Sequence, residues 1–387
     1  MRSGNSCAGH SVIWEKVQGE GPAVNFLRQS LKKGKAVHAY LFAGPDGVGK
    51  GLCARILAQV LNCSRRQSEP CGECASCRAI ERGSHPDVFT LVPRGATRGI
   101  TIEQVREAER LAWLTPQMDG WKVFIFEEAE TMNANAADAF LKTLEEPPSR
   151  TMFILLSARP EKLPATVRSR CQTVRFQPWP FDLMAPFLQE RAGVEKGEAW
   201  VLQCATSGRP GVALRLAEEK FSSTRALILR TLDAAAFAAG KDLMEEVETW
   251  LAHLEEKTRR RQAAVEKERS PHLDREGVKE TEEKEAAFLA AEKRADYEAI
   301  FFLLLSWFRD LYVLKETKAE DLVVNQDRLP LLERQARRFS ARELLKMMAW
   351  VERSRQAVLL GGTTRFSYQL TLENLFLQLG FWRPPGK

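Results

Sequence analysis

Along the first half of the chain, short apolar runs alternate with stretches whose apolar residues recur every three or four positions. Five runs read as strands: Ala39 to Ala43, Asp87 to Val92, Trp121 to Phe126, Thr151 to Leu156 and Thr173 to Phe176. They are continuous rather than alternating, the pattern of parallel strands covered on both faces. Helical stretches separate most of them, so the expected fold class is α/β, a sheet with helices on both sides. Thr101 and Gln104 have capping-box spacing ahead of Ile102, Val105 and Ala108. Within Asn133 to Glu146, Ala137, Phe140, Leu141 and Leu144 share one helical face, and Pro147 and Pro148 end the segment.

Beyond about Pro180 the strand patterns stop and the remainder reads as helical. The stretch Glu255 to Arg294 is crowded with both charge signs. It reads as a solvated helix pair or a linker, with a nucleic-acid-binding arm as the less favoured alternative. Apolar helical segments return at Ala299 to Leu314 and Ala341 to Leu360, and Leu370 to Phe381 has the pattern of a last core helix.

Composition narrows the class. A chain of 387 residues implies two or three domains, and 44% hydrophobic with 28% charged residues is that of a folded protein. The net charge of +6 permits nucleic-acid contact without demanding it. There is no apolar run near membrane length and no secretory h-region at Met1 to Val17, so a cytoplasmic protein is expected. In a reducing compartment, clustered cysteines point to metal rather than disulfides.

Gly44-Pro45-Asp46-Gly47-Val48-Gly49-Lys50-Gly51 lies between a strand and a helical stretch. The glycines let the backbone turn its N–H groups toward phosphate oxygens, and the helix N-terminus and Lys50 add positive charge. A glycine-rich turn without a ligand is the bland alternative. The next position of a working phosphate loop carries Ser or Thr to ligate Mg²⁺, whereas this chain has Gly51. The acidic end of another strand, Glu127-Glu128 after Trp121 to Phe126, shows a related departure. Glu127 stands where aspartate usually supports the metal, and Glu128 keeps the place that orients attacking water. The expectation is nucleotide binding (ATP or ADP) with impaired Mg²⁺ support and weak or absent hydrolysis. A solvated acidic loop is the bland reading of the pair.

Cys63, Cys71, Cys74 and Cys77 are spaced C-x7-C-x2-C-x2-C, with Gly72 permitting a tight turn. Four thiolates satisfy tetrahedral Zn²⁺ and leave no open position, so the zinc would be structural. Free thiols or an iron–sulfur cluster are the alternatives. His85 is superfluous as a fifth ligand and reads as a loop residue. Arg170, in Ser169-Arg170-Cys171, is by itself weak evidence of anything beyond a surface salt bridge.

In order, HAYLFAGPDGVGK, CGECASC, SHPDVF, WKVFIFEEAETMNANAADAFLKTLEEPP and TMFILLSARPEKLPATVRSRCQ resemble the delta-prime subunits of bacterial DNA polymerase III clamp loaders, a AAA+ family, over roughly residues 10 to 215. LKTLEEPP and SRCQ are shared with the gamma/tau motor subunits of those complexes. The altered metal positions, HPDVF with VPRG, and AETMNANAADAF favour the delta-prime type. The resemblance implies three domains: a RecA-like ATPase domain over 1–178 with a zinc module at about 62–80, a helical lid over 179–240, and a helical collar over 241–387. It implies that Arg170 is an arginine finger acting in trans on a motor subunit, and that Ser157 holds the sensor-1 position. The sensor-2 region falls at Ser207 to Gly211, where Arg209 stands near the motor subunits' arginine without assured register. The implied partners are gamma/tau and delta subunits in a hetero-pentamer, with the β sliding clamp and primer–template DNA reached through the complex, and no membrane. Rival readings are an active motor ATPase of the same complex, a zinc-dependent DNA-binding protein, and a general AAA+ chaperone or helicase loader.

Overall fold

The computed structural model describes residues 21–65, 69–94, 99–218, 221–237, 248–249, 252–253, 255–263, 275–360 and 374–375. The expected last helix, Leu370 to Phe381, lies almost wholly outside them. The chain divides into two compact units, the first formed by residues up to Leu183 together with Arg209–Gly211, the second by Met184–Gly208 and everything from Val212.

The first unit is a five-stranded, wholly parallel sheet. Its elements in chain order are α1 (Pro22–Lys32), β1 (Ala39–Ala43), α2 (Lys50–Asn62), α3 (Ala75–Glu81), β2 (Val88–Leu91), α4 (Ile102–Ala112), β3 (Lys122–Phe126), α5 (Ala134–Glu145), β4 (Thr151–Ser157), α6 (Ala165–Arg168) and β5 (Gln172–Arg175). The strand order is β2-β3-β4-β1-β5. All five strand segments read from the sequence are strands, within one or two residues at each end.

Strands β1, β3 and β4 are buried along their whole length, and successive residues feed opposite layers. Tyr40, Phe42, Val123, Ile125, Met152, Ile154 and Leu156 pack with the apolar side of α2. Ala39, Leu41, Phe124, Phe126, Phe153 and Leu155 pack with α4 and α5. This is why the three central runs are continuous: with helices on both faces, no position along β1, β3 or β4 meets water. Phe89, Phe124 and Phe153 stack across three strands at centroid distances of 4.9 and 5.4 Å, and Phe140 of α5 meets Phe153 edge-on at 5.1 Å. The capping box predicted before α4 is present, each of Thr101 and Gln104 accepting from the other's backbone N–H.

The second unit, among the described residues, is helical: α7 (Phe181–Ala192, which begins in the first unit), α8 (Lys196–Ala205), α9 (Pro210–Glu218, whose first two residues, Pro210 and Gly211, belong to the first unit), α10 (Phe221–Phe237), α11 (Arg275–Thr317), α12 (Leu329–Ala336) and α13 (Ala341–Leu360), with residues 255–263 also helical. No helix among the described residues is long and apolar enough to cross a membrane. Two buried polar groups of the second unit are paired over long range. Arg225 donates to Asp327 at 2.7 Å and to Asn325 at 2.9 Å, and Asp310, fully buried, accepts from the Val324 and Asn325 backbones. The charged stretch is less solvated than its composition suggests. Lys257 and Arg261 turn inward to Asp296 of α11, at 3.3 and 2.6 Å, because a buried carboxylate requires cations or donors nearby.

One long-range network fixes the loop between α4 and β3. Asp87 is fully buried and accepts from the backbone N–H groups of Gln117 and Met118, each at 2.8 Å. Asn62 Oδ1 accepts from Trp121 N at 2.9 Å, and a Cβ added at Gly120 would lie 2.0 Å from that same oxygen. Burial pulls the Lys122 ammonium below its usual value, with the Asp87 charge opposing. Removing a buried acceptor strands its donors. Asp87→Ala is therefore expected to destabilise the full-length chain by about 2–4 kcal/mol, read as a lower urea midpoint. An unchanged midpoint would show that the two N–H groups find other partners.

Candidate functional site

The phosphate-loop sequence forms a phosphate-loop geometry. Gly44, Gly47 and Gly49 all take positive φ, at 154°, 82° and 98°, a region open to glycine and costly for residues with a Cβ. Gly44 is further constrained: a Cβ there would sit 2.2 Å from the Phe176 carbonyl oxygen. Gly49 is the N-cap of α2. The loop thus delivers the chain from the carboxyl end of β1 into a helix whose first N–H groups lack intrahelical acceptors, an arrangement suited to anions. Lys50 is buried and its ammonium donates to the carbonyls of Gly44 and Pro45, the latter at 2.8 Å, and pairs with Asp46 at 3.2 Å. Gly211, at the start of α9, donates its N–H to the Gly47 carbonyl at 2.9 Å. Arg209, expected near the sensor-2 position, lies two residues before this contact.

The acidic pair stands two strands away, at the carboxyl end of β3. Glu127 donates its N–H to Leu91 O at 2.9 Å. Glu128 takes the left-handed conformation, φ 46° and ψ 48°, a strained state for a residue with a side chain. Its carbonyl holds both the N–H and the hydroxyl of Thr131, each at 2.8 Å. Ser157 ends β4, between the other two. It is buried, its carbonyl accepts from Gly44 N at 3.1 Å, and its hydroxyl accepts from Arg159 N at 3.2 Å. The ends of β1, β3 and β4 therefore bring Gly44, Gly47, Gly49, Lys50, Gly51, Glu127, Glu128 and Ser157 to one edge of the sheet. Glu130 was not singled out from the sequence. Its buried side chain accepts from Ala158 N at 3.3 Å and ties the acidic loop to the end of β4; no local spacing announces such a contact.

Arg170 is not at that edge. It follows α6 and precedes β5, whose first residue, Gln172, is paired with Tyr40 near the amino end of β1. In a parallel sheet this is the edge opposite the phosphate loop. The four steps from Ala39 to Ala43 at about 3.3 Å each give roughly 13 Å along the strand, longer than an arginine side chain. The guanidinium is at the surface, a third exposed, and pairs with Glu145.

Cys63, Cys71, Cys74 and Cys77 converge, their sulfurs all within 4.8 Å of one another. Tetrahedral Zn–S bonds of about 2.3 Å imply sulfur–sulfur edges of about 3.8 Å, so the group fits a four-thiolate metal with little movement. Backbone N–H groups already point at sulfur, as anionic ligands require: Cys71 N to Cys63 Sγ at 3.4 Å, Cys74 N to Cys71 Sγ at 3.3 Å, and Cys77 N to Cys74 Sγ at 3.4 Å. Burial pushes the Cys74 thiol up, but donors from Ser64 and Cys77 outweigh it and bring it down to about 6. The cluster is tied to the P-loop helix, because Cys63 is the C-cap of α2 and Gln59 donates to Cys77 O at 3.0 Å. His85 stays outside it as a buried loop residue, Nδ1 accepting from Asp87 N at 3.1 Å.

Two family models match the chain: one described as "DNA polymerase III, delta subunit" over residues 19–180, the other as "DNA polymerase III, delta subunit, C terminal" over residues 278–380. The chain is 31% identical over 249 residues to DNA polymerase III subunit delta' of Bacillus subtilis, spanning 64% of this chain and 75% of that one. It is 34% identical over 215 residues to the subunit tau of the same organism, spanning 54% of this chain and 38% of tau. It is 44% identical over 135 residues to the delta' subunit of Pseudomonas aeruginosa, spanning 35% of this chain and 41% of that one.

Adding a Cβ at Gly51 meets only Leu156 Cδ1 at 3.8 Å, an ordinary contact, so a hydroxyl-bearing residue fits there. The isolated wild-type chain is expected to show near-background Mg²⁺-dependent ATP hydrolysis, and Gly51→Thr with Glu127→Asp to bind Mg·ATP at least about ten-fold more tightly, one coordination bond's worth or so. Brisk turnover by the wild type would overturn the reading of these two positions.

Proposed function

The chain belongs to the delta-prime family of bacterial DNA polymerase III subunits, and on that premise we propose that it acts within a clamp loader as the subunit that presents Arg170 to the ATP site of an adjoining gamma/tau-type motor. The observation that carries this is the placement of Arg170. It stands at the surface on the sheet edge opposite its own phosphate loop, so any nucleotide it serves must belong to another chain. The chain's own site supports the same division of labour: the phosphate-binding backbone is kept while Gly51 and Glu127 replace the metal-supporting residues. In this reading ATP or ADP bound at Gly44 to Gly51 has a structural role, and Glu128 and Ser157 line a site that turns over slowly or not at all. The assembly is a hetero-pentamer with motor and delta subunits, residues 1–178 forming a AAA+ domain, 179–240 a lid and 241–387 a collar. ATP at the motor site favours opening of the β sliding clamp and grip on primer–template DNA, and hydrolysis releases the clamp. The complex belongs to the nucleotidyltransferase holoenzyme and works in the cytoplasm.

The four-cysteine group is read as a structural Zn²⁺ site. Zinc there would cross-link the C-terminal end of α2 to the turn before α3 and add folding free energy without chemistry. About one zinc per chain is expected by elemental analysis, and Cys74→Ser should abolish stoichiometric metal and lower the thermal midpoint. Iron with visible charge-transfer bands, or a metal-free chain unmoved by the substitution, would refute it.

In the reconstituted loader, Arg170→Ala is expected to reduce DNA-stimulated ATP turnover by on the order of 10³, the low end for a trans-acting arginine, while complex assembly is retained. Unchanged turnover and clamp loading would end the finger assignment.

A further inference from the structure

Arg170 is the residue on which the proposed function turns, and its surroundings show how it is kept when no neighbour holds it. Its Nε donates to Glu145 Oε1 at 2.9 Å and its Nη2 to the same oxygen at shorter range, while Nη1 donates to the Thr166 carbonyl at 2.9 Å and reaches Ser169 Oγ at 3.5 Å. All three guanidinium nitrogens are therefore engaged within the chain. The two donors on the carboxylate side, Nε and one terminal nitrogen, form the fork by which an arginine grips a phosphate. Thr166 is itself fixed, since Ser169 Oγ donates to its carbonyl at 3.0 Å. Glu145 is the last residue of α5, held in place by the buried Phe140 and Leu144 on the same helix. A carboxylate on a rigid element thus occupies the donors that a phosphate would need.

We propose that Glu145 is a positioning residue for Arg170, an internal anion that holds the guanidinium in a docked state and must be exchanged for the partner's phosphate. This rests on the trans role argued above only for its second half; the docking itself concerns this chain alone. The pair is half-exposed, Arg170 at 33% and Glu145 at 52% of side-chain area, so water screens it. Its worth is at most about 1 kcal/mol, or about five-fold in an equilibrium. That magnitude suits a resting contact: strong enough to orient the side chain, weak enough for a multiply charged phosphate to displace.

The experiment has two arms. In the first, the full-length chain alone is treated with phenylglyoxal, which attacks accessible guanidinium groups, and the modification rate at Arg170 is followed by peptide mass spectrometry. Glu145→Gln should raise that rate about three- to five-fold, while Glu145→Asp, which keeps a carboxylate, should stay near wild type, and other arginines should be unmoved in both. Equal rates in wild type and Glu145→Gln would overturn the docking. In the second arm, the chain is titrated into motor subunits and ATP turnover is recorded. Glu145→Gln should lower the amount of chain needed for half-maximal stimulation by a similar factor, and should have no effect on top of Arg170→Ala. If Glu145→Gln instead matches the loss seen with Arg170→Ala, the carboxylate is required by the finger rather than competing for it, and the exchange is wrong. If Arg170→Ala changes no turnover while the phenylglyoxal result holds, the trans reading fails and the docking stands.

Discussion

The three central strands of the parallel sheet, β1, β3 and β4, are buried on both faces, and this constraint divides the chemistry of the molecule. A strand covered on both sides offers no side-chain position to water, so polar function is pushed to the strand ends. At the carboxyl edge lie the phosphate loop, the acidic pair and Ser157, contributed by β1, β3 and β4. At the amino edge lie Arg170 and Glu145. Because every strand runs the same way, no turn can fold one set onto the other. Separation by a strand's length is thus a consequence of topology, and it is what makes an arginine at one edge useless to the phosphate loop at the other.

The two ends of α2 show the same economy of placement. Its N-terminus begins at Gly49, where positive φ is needed, and its C-terminus is capped by Cys63, the first of the four clustered thiols. Gln59 and Asn62, buried near that end, fasten the helix to Cys77 and to Trp121. Held at its far end, the helix cannot rock about the sheet without moving the loop at its N-terminus. The thiol cluster, Asn62 and Asp87 supply that hold in a region where the chain leaves regular structure.

What the sequence made legible was local. The capping box, the glycines of the phosphate loop and the C-x2-C-x2-C run declare themselves because the cooperating residues are within a few positions of each other. The central strands were legible because burial on both faces imposes an unbroken apolar run. The partners that were missed are distant in the chain. Glu145 and Arg170 are separated by 25 residues, Glu130 and Ala158 by 28, and Lys257 and Asp296 by 39. No periodicity links such pairs. Composition misled at Lys257 and Arg261, where charge density suggested solvent and the buried Asp296 drew both inward.

The loop that carries Gly44 to Lys50 is held by its own contacts. Lys50 donates to two loop carbonyls and to Asp46, Gly44 donates to Ser157, and Gly211 donates to Gly47. Each of these bonds is made within the protein, so the loop's curvature does not depend on a Mg²⁺ bridge. A Cβ at Gly51 would meet only Leu156, in ordinary contact, so a change there leaves the packing undisturbed. Arg170 is under a different constraint: it is anchored through α5 and α6 at the far edge, and changes at the phosphate loop leave its setting untouched.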